Sequence, residues 1–383
     1  MKLLFLEWNS FCTEDMLEAL AICNHTVYKE KYNDVDDWEK QKRIIENVWN
    51  RVKIDAIFTF NYFPNISEYC MKKGCLYYSW VYDSPYINIL SYTAINNCNR
   101  IFLFDYGVYK ELKNGGISTV YYLPLAVNPN RLQRIENSIY MKRKHACDIA
   151  FVGSMYTEKK NDLYSHFSNM KDFYKGYLDG IINAQMMVYG YDFLQNLLTE
   201  DVINEMQKCY PTDPNAKTIA TPEYIYAEYV LNRKVTALER RKILTWMAES
   251  MDIHLYTYEN VNPIQGVKMM GPVDYYDEMP FVFKNAKINL NITLRSIKTG
   301  IPLRAFDIMG NGGFLLTNYQ EEFMEYFEKD KDFSFYEDIA DAAEKAKYYI
   351  NHSDVRERIA TSGKEKVYKE HTFVKRVEIM FKQ

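Results

Sequence analysis

The sequence predicts an α/β protein built from two doubly wound domains, each with a parallel sheet. The chain has 383 residues, which is too long for one typical domain and suits two. Short apolar runs of strand character alternate with helical segments of roughly 10 to 15 residues, a pattern typical of βαβ units. The alternation stops at an irregular stretch near residue 130 and then starts again.

Composition excludes several other classes. Apolar residues make up 48% and charged residues 26%, so the chain is neither disordered nor fibrous. The net charge of −4 argues against a protein held to nucleic acid by bulk charge. The first apolar run, Leu3 to Leu6, stops at Glu7, and no run approaches the roughly 18 apolar residues of a membrane span, so a cytoplasmic protein is expected.

The seven cysteines are odd in number and scattered, with no CxxC pair, which favours reduced structural thiols over disulfides or a zinc site. The six histidines show no HxxxH or HExxH spacing. No metal is therefore expected.

The first domain is expected to span residues 1–140. Its expected strands are 2–8, 54–60, 75–81, 100–105 and 118–125. Its expected helices are 13–23, 37–52, 64–74 and a segment that ends at Gly115–Gly116. Thr13 is the expected N-cap of the first helix.

The stretch 126–146 has no apolar period and is interpreted as the interdomain linker. Its basic cluster, Arg131, Arg134 and residues 142–145, is interpreted as a solvated face rather than a functional patch.

The second domain is expected to span 147–365, with a helical insertion at about 160–250, and a terminal helix at 366–383 is expected to pack back on the first domain. The expected strands are 147–153, 253–258, 286–292 and 312–317. The expected helices are 274–285, 302–310, 320–328, 337–350 and 353–382. Two such domains would place a cleft between the carboxyl ends of their sheets, where ligands bind in doubly wound folds.

The segment 289–318 carries the strongest functional signal. A strand ends near Ile292, and a helix is expected to open with Pro302 as its first residue, so that its free N–H groups suit a phosphate. Arg295 and Arg304 bring bidentate donors to the same place, and Asp307 lies one turn after Arg304.

The same residues allow plainer interpretations. Arg304 and Asp307 could form a surface ion pair, and the glycines at 310, 312 and 313 could form a helix C-cap.

Five segments together carry a family resemblance: YYSWVYDSP (77–85), 101–127, 147–162, 286–318 and 353–377. In this order they resemble CgeB-like glycosyltransferases, which belong with the retaining GT-B enzymes. The resemblance implies two Rossmann-like domains facing a central cleft, with a nucleotide-sugar donor on the second domain and the acceptor entering from the first.

The resemblance assigns donor-binding roles to individual residues. Asp307 stands where the family usually has a glutamate on the donor ribose, and Thr299 stands where many relatives have a second glutamate. Further donor contacts are expected from the loop after the first strand of the donor domain, from a lysine near the diphosphate, and from the glycine turn: Gly153, Ser154, Lys159, Lys160, Gly312 and Gly313.

Two residues are the expected catalytic ones. Arg304, or Arg295, would stabilise the leaving diphosphate. Asp83 follows a strand and could contact an acceptor hydroxyl or act as base if the reaction inverts configuration, although it could equally form an Asx turn or an N-cap. Asp105 has the same geometry and is a weaker candidate.

The predicted function is transfer of a hexosyl-type sugar from a nucleotide diphosphate sugar, with UDP the expected nucleotide, to a protein or glycan acceptor with retention of configuration. No metal and no nucleic acid partner are expected, and the oligomeric state is open. The alternatives are a nucleotide-sugar epimerase with the GT-B shape and a non-catalytic surface or spore-associated binding protein.

Overall fold

The computed structural model describes residues 1–32, 37–212, 218–258 and 262–383, which form two compact units. The first unit contains residues 1–128, 218–220 and 370–383, and the second contains the other described residues. The second unit thus begins at Pro129, before the predicted linker ends. The linker is not irregular throughout, because Pro129–Gln133 and Ile139–His145 are helices.

The first unit is built on a six-stranded parallel sheet. Its strands are β1 (Lys2–Glu7), β2 (Thr26–Lys31), β3 (Ala56–Phe60), β4 (Leu76–Val81), β5 (Asn99–Leu103) and β6 (Val120–Tyr122). Their spatial order is β2-β1-β3-β4-β5-β6, so the order reverses between β1 and β3. The edge strand β2 was not predicted, because its sequence TVYKEK is polar and its side chains are exposed or half-buried.

Helices cover both faces of this sheet. They are α1 (Thr13–Ile22), α2 (Trp38–Arg51), α3 (Pro64–Lys73), α4 (Tyr106–Asn114) and the terminal α17 (Phe373–Met380). The expectation that Thr13 caps α1 is wrong: Cys12 occupies the cap with φ 65°, and the Thr13 hydroxyl donates to the Ser10 carbonyl. α17 packs against α1, and Arg376 donates to the carbonyls of Pro124 and Leu125.

The second unit repeats the design. Its strands are β7 (Cys147–Val152), β8 (Ile253–Tyr256), β9 (Val267–Met269), β10 (Ala286–Asn291), β11 (Leu315–Asn318) and β12 (Ser334–Tyr336), all parallel. The spatial order is β12-β11-β10-β7-β8-β9, which reverses between β7 and β10. The three-residue strands β9 and β12 were not predicted, because each is too short to show a period.

The helices of this unit fall into three groups. Before β7 lie α5 (Pro129–Gln133) and α6 (Ile139–His145). The insertion contains α7 (Asp172–Met186), α8 (Leu194–Leu197), α9 (Glu200–Cys209), α10 (Pro222–Ile225), a π-helical segment Tyr226–Leu231 and α11 (Asn232–Met247). The others are α12 (Met279–Asn285), α13 (Leu303–Gly310), α14 (Glu321–Tyr326), α15 (Ile339–Asn351) and α16 (Ser353–Glu370). Of these, α12 packs on α6. The insertion has a hydrophobic core of its own, distinct from the core around the sheet.

The predicted last helix, 353–382, is two helices. The helix is interrupted at His371, and the Thr372 side chain accepts a hydrogen bond from the backbone N–H of Lys375 to cap α17. This break lets α16 stay with the second unit while α17 joins the first.

The seven cysteines, all among the described residues, are free thiols. Across 1–32, 37–212, 218–258 and 262–383, no cluster of three or more His, Cys, Asp or Glu side chains is arranged to hold a metal ion. No described helix combines the length and apolar character needed to cross a membrane.

Candidate functional site

The candidate site lies where the strand order of the second sheet reverses, between β7 and β10. In doubly wound sheets, ligands bind beyond the carboxyl ends of the strands at such a switch point. Two loops leave the sheet here, 153–162 after β7 and 292–302 after β10. Most of the predicted donor-binding residues lie on these loops or at the start of α13.

Arg304 and Gly153 are brought together at this point. Pro302 is the N-cap of α13, with ψ 152°, rather than its first helical residue as predicted, and Arg304 is the second residue of the helix. A Cβ atom placed on Gly153 would lie 3.0 Å from Nη2 and 3.1 Å from Cζ of Arg304. Gly153 also has φ 154°, so glycine is required here both for the backbone and for the close approach of the guanidinium.

Arg304 forms no ion pair with a described carboxylate, and Asp307 acts on it only as a weaker electrostatic attraction. Its Nε is buried without a hydrogen-bond acceptor, and no ion pair joins it to a described carboxylate, so the surface ion pair with Asp307 is not formed. Burial, with Arg240 as the next cause, lowers the pKa of Arg304 to about 10. The arginine is therefore a largely desolvated cation, the state that an anionic ligand would relieve.

Arg240 is a site residue that sequence reasoning missed. It lies on α11, is 3% exposed, and donates to the carbonyls of Ser154 and Ile292, one on each side of the switch point. Its guanidinium lies 4.8 Å from the ring centroid of Tyr156, and burial lowers its pKa. No motif marks it, because it reaches the site from the helical insertion, which shows only an amphipathic pattern.

The loop after β7 is held by Glu158. This carboxylate is 3% exposed and accepts hydrogen bonds from the Ser154 hydroxyl at 2.7 Å and the Met155 N–H at 2.8 Å. Burial acts to raise the pKa of Glu158, but these hydrogen bonds lower it below its usual value. The predicted ligand Ser154 therefore acts on the loop's shape, and Lys159 and Lys160 follow it as exposed cations.

The guanidinium of Arg295 is hydrogen-bonded within the protein. Its Nε donates to Glu239 at 2.8 Å, Nη1 to the Val188 carbonyl at 2.8 Å and Nη2 to the Met186 carbonyl at 3.2 Å. Burial opposes its charge, yet Glu239 raises its pKa above the ordinary value. Arg295 thus ties the loop after β10 to the helical insertion, and each of its three nitrogens already has an acceptor.

Asp307 lies in the middle of α13, is 6% exposed and accepts a hydrogen bond from the Tyr275 hydroxyl at 3.0 Å. Thr299, at the position of the family's second glutamate, donates its hydroxyl to Glu322 at 2.8 Å. The carboxylate of Glu322 on α14 therefore contacts the loop at the position where this sequence has threonine in place of the family's glutamate.

Gly312 and Gly313 lie at the opposite end of α13 from Arg304. Gly312, with φ 76°, donates its N–H to the Met309 carbonyl, and Gly313 donates to the Ile308 carbonyl, which together form a Schellman C-cap. A Cβ on Gly313 would lie 2.5 Å from the Asn289 side chain and 2.5 Å from the Phe283 carbonyl. An eight-residue helix spans about 12 Å, so these glycines serve helix packing rather than the switch point.

A buried histidine cluster lies behind β8. The Tyr256 hydroxyl lies 2.9 Å from Nδ1 of His145 and 3.4 Å from Nδ1 of His254. His145 Nε2 lies 3.4 Å from Glu278. His145 is fully buried, so it does not belong to the solvated face that was predicted for the basic cluster. Burial lowers the pKa of both His145 and His254.

In the first unit, Asp83 is exposed just after β4. The Asn61 side chain donates to its carboxylate at 2.6 Å. Asp83 does not cap the helical turn that follows, since the N-cap of that turn is Tyr86. Asp105, in contrast, is the N-cap of α4 and accepts from the Gly107 N–H at 3.0 Å.

The carboxyl-terminal part of the chain, residues 233–382, matches a family model described as glycosyl transferase-like. No curated protein matches the chain in sequence at a significant level.

Solved structures match the whole chain. Sucrose-phosphate synthase from Thermosynechococcus elongatus has a TM-score of 0.57 at 8% identity, covering 100% of this chain and 98% of that one. Alr3699/HepE from Anabaena, in complex with UDP-glucose, has a TM-score of 0.54 at 8% identity with the same coverage. A glycosyltransferase from Rickettsia africae ESF-5 has a TM-score of 0.53 at 11% identity, again with the same coverage.

These likenesses confirm the predicted fold class, an α/β protein of two Rossmann-like units with parallel sheets, as in GT-B proteins. The family match and the fold together support the predicted glycosyltransferase activity.

Proposed function

We propose that this protein transfers a sugar from a nucleoside diphosphate sugar, with UDP as the leaving nucleotide, to a hydroxylated acceptor. The observation that carries the proposal is the unpaired guanidinium of Arg304, packed on Gly153 at the switch point of the second sheet beside the buried Arg240. Two cations that lack carboxylate partners favour a ligand with about two negative charges, such as a diphosphate.

The nucleotide is inferred from the solved structures of similar fold. Alr3699/HepE binds UDP-glucose, as does T4 phage BGT, which has a TM-score of 0.50 at 10% identity and covers 100% of this chain and 98% of that one. The sequence resemblance to CgeB-like enzymes makes a donor of this class the expectation here as well.

The chemistry follows from the charge at the site. The acceptor oxygen bonds to the anomeric carbon of the donor, the bond from that carbon to the diphosphate breaks, and its electron pair goes to the diphosphate. Arg304 and Arg240 would stabilise the growing negative charge without reorganising. With retention of configuration, which we propose, a diphosphate oxygen takes the acceptor proton, whereas inversion would assign that proton to Asp83.

Several finer roles are part of the proposal. Asp307 would contact the donor, and the exposed Lys159 or Lys160 would approach the diphosphate when donor is bound. Arg295 is not proposed as a ligand, because its nitrogens are bound by protein. The chemistry proposed needs no metal.

The test is a panel of nucleotide sugars incubated with the purified protein, with and without acceptor. Release of UDP that rises with acceptor concentration supports transfer. Conversion of the donor to an epimer without release of UDP would instead favour the epimerase alternative. Absence of UDP binding by calorimetry at millimolar concentration would reject the proposal.

A further inference from the structure

A second constellation of polar and aromatic residues lies at the switch point of the first sheet, between β1 and β3. The loop after β1 and the loop after β3 leave the sheet side by side, which is again where ligands bind in doubly wound folds. The proposed donor contacts all lie in the second unit, so this switch point is not used by them.

Aromatic side chains cluster beside the switch point of the first sheet. Trp8 follows β1, is half-buried, and its indole N–H donates to the Phe60 carbonyl at 2.6 Å, which fixes the ring. Tyr82 lies nearly parallel to it, with ring centroids 6.5 Å apart and an interplanar angle of 15°. Phe63 supports Trp8 edge-on at 5.9 Å, and Phe11 on the same loop is 42% exposed.

A positioned carboxylate stands next to these rings. Asn61, fully buried and with φ 58°, donates to Asp83 at 2.6 Å and accepts from the Tyr82 N–H at 3.1 Å. One amide therefore holds both the exposed carboxylate and the backbone that carries the Tyr82 ring. A buried amide with this set of contacts is costly to leave unpaired, so the geometry is well determined.

We infer that Trp8, Tyr82 and Asp83 bind a pyranose residue of the acceptor, and that the acceptor is therefore a glycan rather than a serine or threonine side chain of a protein. The inference rests on the proposed function. A pyranose ring has an apolar C–H face that packs on aromatic rings and several hydroxyls that donate to a carboxylate. A serine or threonine side chain has one hydroxyl and no comparable apolar face. Asn61 is the positioning residue.

The first experiment measures acceptor binding without donor. Disaccharides of glucose, galactose, mannose and N-acetylglucosamine are titrated into the full chain and followed by saturation-transfer NMR. Binding of at least one disaccharide, weakened tenfold or more in Trp8→Leu and in Asp83→Asn, is the expected result. Tyr92→Leu, which removes a 57% exposed ring elsewhere in the same unit, is the control and should bind like wild type.

The second experiment separates this inference from the proposed function. UDP affinity is measured by calorimetry in the same variants and should stay within twofold of wild type. Turnover is then compared with glycan and with serine- or threonine-containing peptide acceptors. Disaccharide binding that is insensitive to Trp8→Leu and Asp83→Asn, or transfer to peptides alone, would overturn the inference. A wild-type protein that binds disaccharide at these residues but does not bind UDP would instead reject the proposed function and keep the sugar site.

Discussion

Replacing Arg304 with methionine should make the free protein more stable and the complex with UDP weaker. The two effects have one cause: no protein carboxylate is ion-paired with this guanidinium, and burial and Arg240 outweigh the attraction of Asp307. The pKa falls from an ordinary 12.5 to about 10, which corresponds to roughly 3 kcal/mol of opposition to the charge. Methionine keeps much of the side-chain volume and removes the charge, so the free energy of unfolding should rise by about 1–3 kcal/mol.

The loss in binding follows from the contacts that the diphosphate would make. A hydrogen bond to a charged group contributes about 1.5–3 kcal/mol, so the Kd for UDP should rise by roughly 10- to 150-fold. The assays are urea unfolding without ligand, calorimetry with UDP, and the thermal shift at fixed UDP concentration, which should shrink as the Kd rises.

Arg295→Met is the matched control. It removes the ion-pair partner of Glu239, which is fully buried and would keep the Tyr189 hydroxyl as a donor. Breaking a buried ion pair costs about 3–5 kcal/mol, so this variant should be destabilised. An Arg304→Met variant that is less stable than wild type and binds UDP equally well would refute the reasoning.

Two further predictions concern residues outside the switch point. Gly313→Ala should lower the free energy of unfolding by about 3 kcal/mol, because its Cβ would overlap backbone, whereas Gly312→Ala should cost only about 1 kcal/mol, and neither should change the Kd for UDP in the folded protein. A Gly313→Ala variant as stable as wild type by urea unfolding would contradict the packing role. Burial holds the pKa of His145 below its ordinary value of 6.5, so the unfolded chain takes up this proton at a higher pH than the native protein does. The stability that neutral His145 contributes should therefore be present above about pH 6.5 and be lost as the pH falls below it. The free energy of unfolding should therefore fall less between pH 7.5 and pH 5.5 in His145→Gln than in wild type or in the exposed control His352→Gln, by up to about 1 kcal/mol. Equal losses in all three proteins would contradict this role of His145.

The interior of the fold could be predicted from sequence because burial leaves a simple pattern. Strands such as β3, AIFTF, are buried along their whole length and read as continuous apolar runs. The strands that were missed lie at or near the sheet edges, where pairing with a neighbour rather than burial defines them. β2 pairs with β1 over six residues although its own side chains give no apolar signal.

The site could be predicted only as far as the backbone determines it. Gly153 and Arg304 follow the ends of two strands that a doubly wound topology brings together, so their loops could be expected to meet. The topology does not predict which groups a long side chain will contact. Arg240 is 86 residues from Ser154 and 52 from Ile292, and only the tertiary structure shows that its guanidinium joins those two carbonyls.

Helix α11 determines which arginine at the switch point has a carboxylate partner. Two neighbouring residues on this helix, Glu239 and Arg240, act in opposite directions: Glu239 neutralises Arg295, while Arg240 adds a second cation near Arg304 and lowers its pKa. If the loop after β10 needed only to be stable, a carboxylate ion-paired with Arg304 would be the simplest arrangement, since a desolvated charge without an ion-pair partner is costly. The protein instead places its carboxylate on the arginine that anchors the loop and keeps the other positive. That distribution is unfavourable in the free protein and favourable once an anion is bound, which is why the charge of Arg304, rather than the glycines or Arg295, is the feature on which the proposed donor site depends.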